Sequence, residues 1–341
     1  MGDRAGRNQA CDGLKLVMIV IVVMHHSGYL HGILRHGYMS VELFFMASGY
    51  MLMRSAQARP EVTAGQYALG RLRKLYPHYV LSFAVYFVYH MIGAGRVDGA
   101  FLLRGLTELL LVQNLGLTAE GGFNYPCWYI CVLFFGSAAL YGLQRRISRR
   151  ALYAACGAVA AAVYGYIFAT NGGNIEVWHT VLVFHLPVWR GIAGLAAGML
   201  ICLAHGRMDF ARGCVWWQIA EAAILAAILA MMCLPLPVDA PILLATILLL
   251  LAIGNPRSVI GRLSDNAVVR ALMRVEYGVF LNHAFVISVC AHGLFRLLGL
   301  PAVIAAPLLL AVTFAYSALT TRLSGGAARR PGRVTKRPLC G

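Results

Sequence analysis

The sequence has 341 residues, of which 60% are apolar and only 12% are charged. A soluble domain needs a more polar surface than this composition supplies, so a soluble globular protein is excluded and an integral membrane protein is predicted. Neither the net charge of +16 nor the nine cysteines indicate another class, because the basic residues cluster beside apolar segments instead of forming a nucleic-acid-binding face, and no CxxC pair indicates a metal site.

Apolar segments of nearly membrane-spanning length recur along the whole chain. They lie at roughly 14–34, 38–53, 77–95, 101–117, 127–144, 151–170, 181–204, 214–234, 240–255, 276–297 and 302–321. If all of them crossed a bilayer from a cytoplasmic N-terminus, the basic cluster at 145–150 and the basic C-terminal tail would lie outside, against the preference of Lys and Arg for the cytoplasmic side. One segment is therefore predicted not to cross.

Segment 101–117 is the best candidate for the one that stays on the external side. It is short for a transmembrane helix, and it carries Arg104 and Glu108 one turn apart. The prediction is an all-α polytopic membrane protein with about ten transmembrane helices and with both termini in the cytoplasm. Residues 1–321 form a single integral domain in this prediction, and residues 322–341 form a basic cytoplasmic tail.

The first apolar segment carries the clearest pair of ionisable residues. Lys15 and His26 are 11 positions apart, which at 100° per residue is about 20° from three full turns, so both lie on one helix face. The rise of about 16 Å puts Lys15 near the cytoplasmic interface and His26 near the bilayer midplane. An imidazole is suited to general acid–base catalysis, and Lys15 to holding a phosphate. Structural roles stay open for both, as a hydrogen-bond partner of a neighbouring helix and as an interfacial anchor.

Glu42 is the one charged residue of the second apolar segment, and a short turn brings it beside the first. We predict that it orients His26, as carboxylates do for many catalytic bases; a purely structural pairing is the alternative. The following cytoplasmic loop contains Arg71, Arg73 and Lys74. These residues act either as topology signals or, beside the first helix, as a site for a polyanionic cofactor.

Three later features complete the set of candidate residues. Trp128 and Tyr129 open a crossing from the external side, where such residues either belong to the aromatic belt or stack against a sugar ring. Arg190 lies well inside its span, behind the helix-kinking Pro187, and a buried Arg needs an anionic or carbonyl partner. His283 lies one to two turns from the cytoplasmic end of its span, either as a second site histidine or as a core residue.

Taken in order, these motifs resemble those of the membrane-bound acyltransferase 3 family, whose members O-acylate bacterial surface glycans. The matching stretches are 12–15 with His26, 41–50, 71–77, Trp128 and Tyr129, Trp189 and Arg190 with Gly194 and Gly198, and 281–283. The hallmark of the family is an Arg or Lys followed, after ten residues, by His, and Lys15 and His26 match it. Many members also carry Glu five residues after the Trp, where this sequence has Leu133.

The resemblance implies an O-acyltransferase of the bacterial inner membrane. The acyl donor, acyl-CoA and most simply acetyl-CoA, is expected to bind on the basic residues Lys15, Arg71, Arg73 and Lys74. Catalysis is expected from His26, Glu42 and Arg190, of which Arg190 stabilises the oxyanion or holds pyrophosphate.

A hydroxyl of a surface or lipid-linked glycan is expected to approach from outside, onto Trp128, Tyr129, His283 and the 94–126 loop. Because the sequence ends in a basic segment, we expect the membrane domain alone to handle this acceptor. The competing hypothesis is a glycan-lipid transporter or flippase, in which the intramembrane His, Glu and Arg residues form a proton-coupled or anion site.

Overall fold

The structure of the protein is a computed structural model that describes residues 9–325 except 31, 119–120, 177, 209 and 211–213. Its α-helices are α1 (Gln9–Ser27), α2 (Ser40–Ala58), α3 (Ala64–Ala94), α4 (Gly99–Leu109), α5 (Trp128–Gln144), α6 (Arg149–Thr170), α7 (Leu186–His205), α8 (Cys214–Met231), α9 (Asp239–Ala252), α10 (Val259–Ser264), α11 (Ala267–Leu272), α12 (Glu276–Val286) and α13 (Ala302–Leu323). α12 continues as a π-helix over Ile287–Phe295. Strands β1 (Thr180–Val181) and β2 (Phe184–His185) pair as an antiparallel hairpin. The predicted basic tail lies, beyond residue 325, outside the described residues.

Long apolar helices dominate the fold. Six are long and apolar enough to cross a bilayer, namely Gln9–Ser27, Tyr125–Gln144, Arg149–Thr170, Leu186–His205, Glu276–Phe295 and Ala302–Leu323. Val215–Met231 and Asp239–Ala252 are shorter apolar helices, and α2 and α3 cover the two other segments predicted to cross. The structure confirms an all-α polytopic membrane protein, while the cytoplasmic placement of both termini stays a prediction.

α4 occupies the segment that was predicted not to cross. Its 11 residues extend about 16 Å at 1.5 Å per residue, about half the thickness of a hydrocarbon core. The side chain of Asp98 caps the helix by accepting a hydrogen bond from the Phe101 amide at 2.9 Å. Leu102 and Leu106 are exposed whereas Glu108 is buried. An exposed apolar face on a short helix is typical of a segment that lies in a membrane interface.

α2 and α7 approach each other closely enough for backbone contact. A Cβ atom on Gly198 would lie 1.9 Å from the Met46 carbonyl oxygen, and one on Gly49 would lie 1.9 Å from the Leu195 carbonyl oxygen. Small residues commonly allow such contacts between membrane helices. Because α7 also packs against α5, α6 and α9, this contact sets the position of Arg190 in the centre of the fold.

Replacement of Gly198 by Ala should lower the stability of the purified protein. The added methyl group forces two helix backbones apart, and overpacking of this kind costs about 1–3 kcal/mol. Gly157→Ala is the matched control, because a Cβ atom at Gly157 of α6 meets nothing within 4 Å and Ala favours a helix over Gly. Thermal unfolding in detergent measures both variants. Equal melting temperatures for the two would contradict the assigned role of the α2–α7 contact.

Candidate active site

His26 of α1 and His283 of α12 form a hydrogen-bonded pair inside the fold. The Nδ1 atom of His26 lies 3.1 Å from the Nε2 atom of His283, and the two rings stack with centroids 5.2 Å apart. The Nδ1 atom of His283 lies 2.8 Å from the carbonyl oxygen of Phe280. The structure therefore joins two histidines that are far apart in the sequence, and the role of each in chemistry stays a prediction.

The hydrogen-bond partners determine which ring nitrogens carry protons. The Phe280 carbonyl only accepts hydrogen bonds, so Nδ1 of His283 must be its donor, and in a neutral ring Nε2 is then an acceptor. Nδ1 of His26 must donate to that acceptor. The Nε2 atom of a neutral His26 is left with a free lone pair, which is the form that a general base or a nucleophile needs.

Tyr125 is the most exposed ring beside His26. Its ring centroid lies 5.2 Å from that of His26 in an edge-on arrangement, and the residue is 44% exposed. Tyr125 lies in the 94–126 loop, but its sequence context did not single it out, because an aromatic residue at the start of a span fits the aromatic belt equally well. Only its ring contact with His26 in the folded structure identifies it as a neighbour of the candidate base.

A cavity of about 730 Å³ brings the four predicted cofactor-binding residues together. Lys15, Arg71, Arg73 and Lys74 all line it. Arg274 and Glu276, which the sequence analysis did not select, line it as well. Glu276 is the first residue of α12, and Arg274 lies just before that helix. A basic residue directly before a span indicates only the membrane topology, so nothing in the sequence singled out Arg274. Basic side chains therefore outnumber acidic ones around this cavity, which favours a polyanionic ligand.

Arg71, which lines the basic cavity, has one hydrogen-bond donor without a partner among the described residues. Its Nη1 atom donates to the Tyr67 hydroxyl at 2.8 Å, while its buried Nε atom has no hydrogen-bond partner among the described residues. A buried donor without a partner is costly, and guanidinium groups favour phosphate and carboxylate as acceptors. The side chain is thus prepared for an anion.

Three aromatic rings close the inner end of the cavity. Phe44, Tyr129 and Phe280 all line it, with ring centroids 6.4 Å apart for Phe44 and Phe280 and 4.8 Å apart for Tyr129 and Phe280. On its other side the Phe280 ring lies 5.9 Å from the ring of His283. We call these three residues the aromatic layer. Through Phe280 it connects the lining of the basic cavity with the histidine pair.

The prediction that Glu42 orients His26 is wrong in this structure. Arg190 Nε and the Tyr164 hydroxyl both donate to the Glu42 carboxylate, and Glu42 and Arg190 are 0% and 4% exposed. The guanidinium group also lies 5.5 Å from the centroid of the Trp128 ring. The close contact of α2 and α7 places a cation beside the carboxylate, and an oppositely charged partner lowers the cost of a buried charge more than a neutral imidazole does.

Trp128 and Tyr129, the residues predicted to stack against a sugar ring, are both buried, and their role in substrate binding stays a prediction. Trp128 is 9% exposed and Tyr129 is 7% exposed. Trp128 packs against Phe45 with a centroid distance of 5.6 Å, and the Tyr129 hydroxyl lies 3.4 Å from Ser48 Oγ. α5 turns both rings towards its helix neighbours, because large rings gain more from packing against other helices than from exposure. Tyr129 thus belongs to the cavity side of the fold.

Comparison with known proteins identifies the family to which this chain belongs. The chain matches the model of the acyltransferase domain family, Acyl_transf_3, over residues 8–322 and belongs to this family. The family resemblance inferred from the sequence motifs is confirmed.

Two curated proteins are similar to this chain. One is the acyltransferase MdmB of Streptomyces mycarofaciens, 26% identical over 205 residues that cover 50% of this chain and 52% of that protein. The other is the membrane-bound transacylase BcsY of Komagataeibacter xylinus, 26% identical over 210 residues that cover 57% of this chain and 52% of that protein. The chain spans about half the length of these relatives. No solved structure matches it.

Glu42→Ala should destabilise the protein because it leaves the Arg190 guanidinium buried without its anion. Breaking a buried ion pair from one side typically costs about 3–5 kcal/mol. The double variant Glu42→Leu with Arg190→Met removes both charges and should recover much of this loss. Asp265→Ala is the control, because the Asp265–Arg270 pair is about half exposed on both sides and such pairs contribute little. Thermal unfolding ranks the variants, and a double variant no more stable than Glu42→Ala would refute the pairing.

Proposed function

We propose that the protein transfers a short acyl group, acetyl, from cytoplasmic acyl-CoA to a hydroxyl of a cell-surface or lipid-linked glycan in the bacterial inner membrane. The observation that carries the proposal is the histidine pair, which leaves a basic nitrogen on His26 behind the aromatic layer of a basic cavity. Membership of the acyltransferase family supports the transfer of an acyl group. The named activities of MdmB and BcsY, an acyltransferase and a membrane-bound transacylase, agree with it.

The basic cavity supports acyl-CoA as the donor. Its volume of about 730 Å³ lies within the usual range for a ligand pocket. The phosphates of CoA are the groups that would contact Lys15, Arg73 and the unpartnered Nε atom of Arg71. In this proposal the thioester end of the donor lies at the aromatic layer, because that layer contacts His283 through Phe280.

In the proposed reaction, His26 moves one proton from the acceptor to the donor's sulfur. The acceptor oxygen attacks the thioester carbonyl carbon while Nε2 of His26 takes the hydroxyl proton. The carbon–sulfur bond then breaks, and the CoA thiolate receives that proton from His26. The products are an ester and free CoA, with His26 neutral again. The same lone pair would serve a route in which the acyl group is first carried on His26.

The aromatic layer supports a short acyl group. Phe44, Tyr129 and Phe280 line the cavity and Phe280 contacts His283, so in this proposal a thioester carbonyl reaches His26 only if the chain beyond it fits among these rings. Acetyl adds one methyl group beyond the carbonyl, whereas each further methylene must displace packed ring atoms. Displacement of well-packed side chains carries a cost for every added methylene.

His26→Ala should abolish transfer of labelled acetyl from acetyl-CoA to glycan in permeabilised membranes. Loss of a general base typically lowers a rate by about 10²- to 10⁴-fold. His292→Ala is the matched control, because His292 is an exposed histidine on the same continuous helix as His283. Alkali-labile esters on the glycan are the readout, normalised to the amount of protein in the membrane.

Two results would overturn the proposed function. One is wild-type ester formation by the His26→Ala variant. The other is a loss of glycan export, with the ester content of the glycan unchanged, which would support the transporter hypothesis. Purified protein that neither binds nor hydrolyses acetyl-CoA would exclude the proposed donor.

Phe280→Leu should widen the range of accepted acyl chains. A smaller side chain opens the aromatic layer next to His283, so the ratio of butyryl to acetyl transfer should rise about tenfold or more. Phe135→Leu is the control, because Phe135 of α5 is exposed and does not line the cavity. Initial rates with the two acyl-CoA donors give the ratio. An unchanged ratio in a Phe280→Leu protein that still transfers acetyl would show that the aromatic layer does not select chain length.

A further inference from the structure

Two buried polar atoms near the external end of α3 have no hydrogen-bond partner among the described residues. They are the Asn124 side-chain oxygen, Oδ1, and the Tyr86 hydroxyl, and their residues are 1% and 3% exposed. Buried polar groups without a partner are uncommon, because each loses its hydration without compensation. One of the two atoms accepts hydrogen bonds and the other can donate one, which is the complement of a hydroxylated ligand.

The orientation of the Asn124 amide is fixed by its other contacts. Its Nδ2 atom donates to the Leu281 carbonyl at 2.8 Å and to Ser82 Oγ at 3.4 Å. A carbonyl only accepts, so the nitrogen must face Leu281 and the oxygen must face away. The unpartnered atom is therefore a hydrogen-bond acceptor held in one direction.

The segment before Asn124 is held in place by α4. Glu108 accepts hydrogen bonds from the Phe123 and Asn124 amides. Arg104 donates to the carbonyls of Gly121 at 2.8 Å and Gly122 at 2.9 Å. Burial raises the pKa of Glu108 to about 7, while these amides and Arg104 favour its carboxylate form. Residues 121–124 are thus held in place before any ligand binds, which reduces the ordering cost of binding.

The residues that carry the two unpartnered atoms lie beside the segments that hold the histidine pair. Asn124 precedes Tyr125, whose ring lies 5.2 Å from that of His26, and it binds the carbonyl of Leu281, two residues before His283. Ser82, one turn before Tyr86 on α3, donates to that same carbonyl at 3.1 Å. Residues four apart share a helix face. The Tyr86 hydroxyl therefore lies on the side of α3 that faces Asn124.

We propose that Tyr125, Asn124 and Tyr86 form the binding subsite for the acceptor, and that the acceptor is a polyhydroxylated ring, a sugar. The exposed face of Tyr125 stacks on the apolar C–H face of the sugar. Asn124 Oδ1 accepts a hydrogen bond from one hydroxyl, and the Tyr86 hydroxyl donates to another. A third hydroxyl of the same ring then points at Nε2 of His26. This subsite replaces the platform predicted at Trp128 and Tyr129, and it rests on the proposed transfer to glycan.

The Tyr86→Phe and Tyr125→Leu variants test the subsite in permeabilised membranes with labelled acetyl-CoA. Tyr86→Phe removes a hydroxyl that has no partner among the described residues, so the fold should persist. Tyr153→Phe is the matched control, because Tyr153 of α6 carries another unpartnered buried hydroxyl, beside Arg149 and Arg207. We expect each test variant to slow labelling of glycan about three- to tenfold, with wild-type labelling by Tyr153→Phe and an unchanged KM for acetyl-CoA in all three.

The acetyl label is measured separately in the solvent-extractable lipid fraction and in the polysaccharide fraction. The fraction that carries the label shows whether the acceptor is lipid-linked or polymeric. Wild-type labelling by both Tyr86→Phe and Tyr125→Leu would overturn the subsite, and so would slower labelling accompanied by weaker binding of acetyl-CoA, because that marks a general structural defect. Persistent labelling by His26→Ala would instead overturn the proposed function. The two failures are therefore distinguishable.

Discussion

The cost of an unpaired ionisable group inside a bilayer governs the arrangement of this protein. Three sets of ionisable groups meet that cost in different ways. Glu42 and Arg190 neutralise each other across the closest helix contact. His26 and His283 stay uncharged in a chain of hydrogen bonds that ends on a backbone carbonyl. Lys15 opens onto a cavity at the edge of the membrane domain. The first arrangement fixes the helices, and the other two leave groups available for chemistry.

The aromatic layer divides the candidate site into two compartments. On one side, basic residues line a cavity that suits a polyanion. On the other side lies the proposed acceptor subsite at Tyr125, with two polar atoms that have no partner among the described residues. His283 contacts the layer through Phe280, and His26 contacts Tyr125. The histidine pair is thus the point where the two compartments meet. A donor and an acceptor that cannot dissolve in the same phase would need such a meeting point.

The sequence predicted properties that belong to a single segment, and it failed where two distant segments meet. Helical periodicity aligned Lys15 with His26, and charge distribution singled out 101–117, which forms only the short α4. Periodicity gives the face of a helix but not the neighbour of that face. Glu42 was therefore assigned to His26, whereas packing gave it Arg190. Likewise Trp128 and Tyr129 were expected at the external surface, because local composition does not specify how α5 is rotated against α2 and α12.

A neutral partner suits His26 better than the carboxylate that the sequence suggested. A carboxylate bound to Nδ1 would favour the imidazolium form of His26 before any substrate arrives, and a charged ring cannot take a proton. His283 accepts the same hydrogen bond without adding a charge, so the resting base stays neutral. In the proposed reaction His26 takes a proton, so its Nδ1–H becomes a charge-assisted donor and the bond to His283 strengthens at that moment. The pair would then stabilise the charge in the transition state but not in the resting enzyme, and an interaction of that kind lowers the activation barrier.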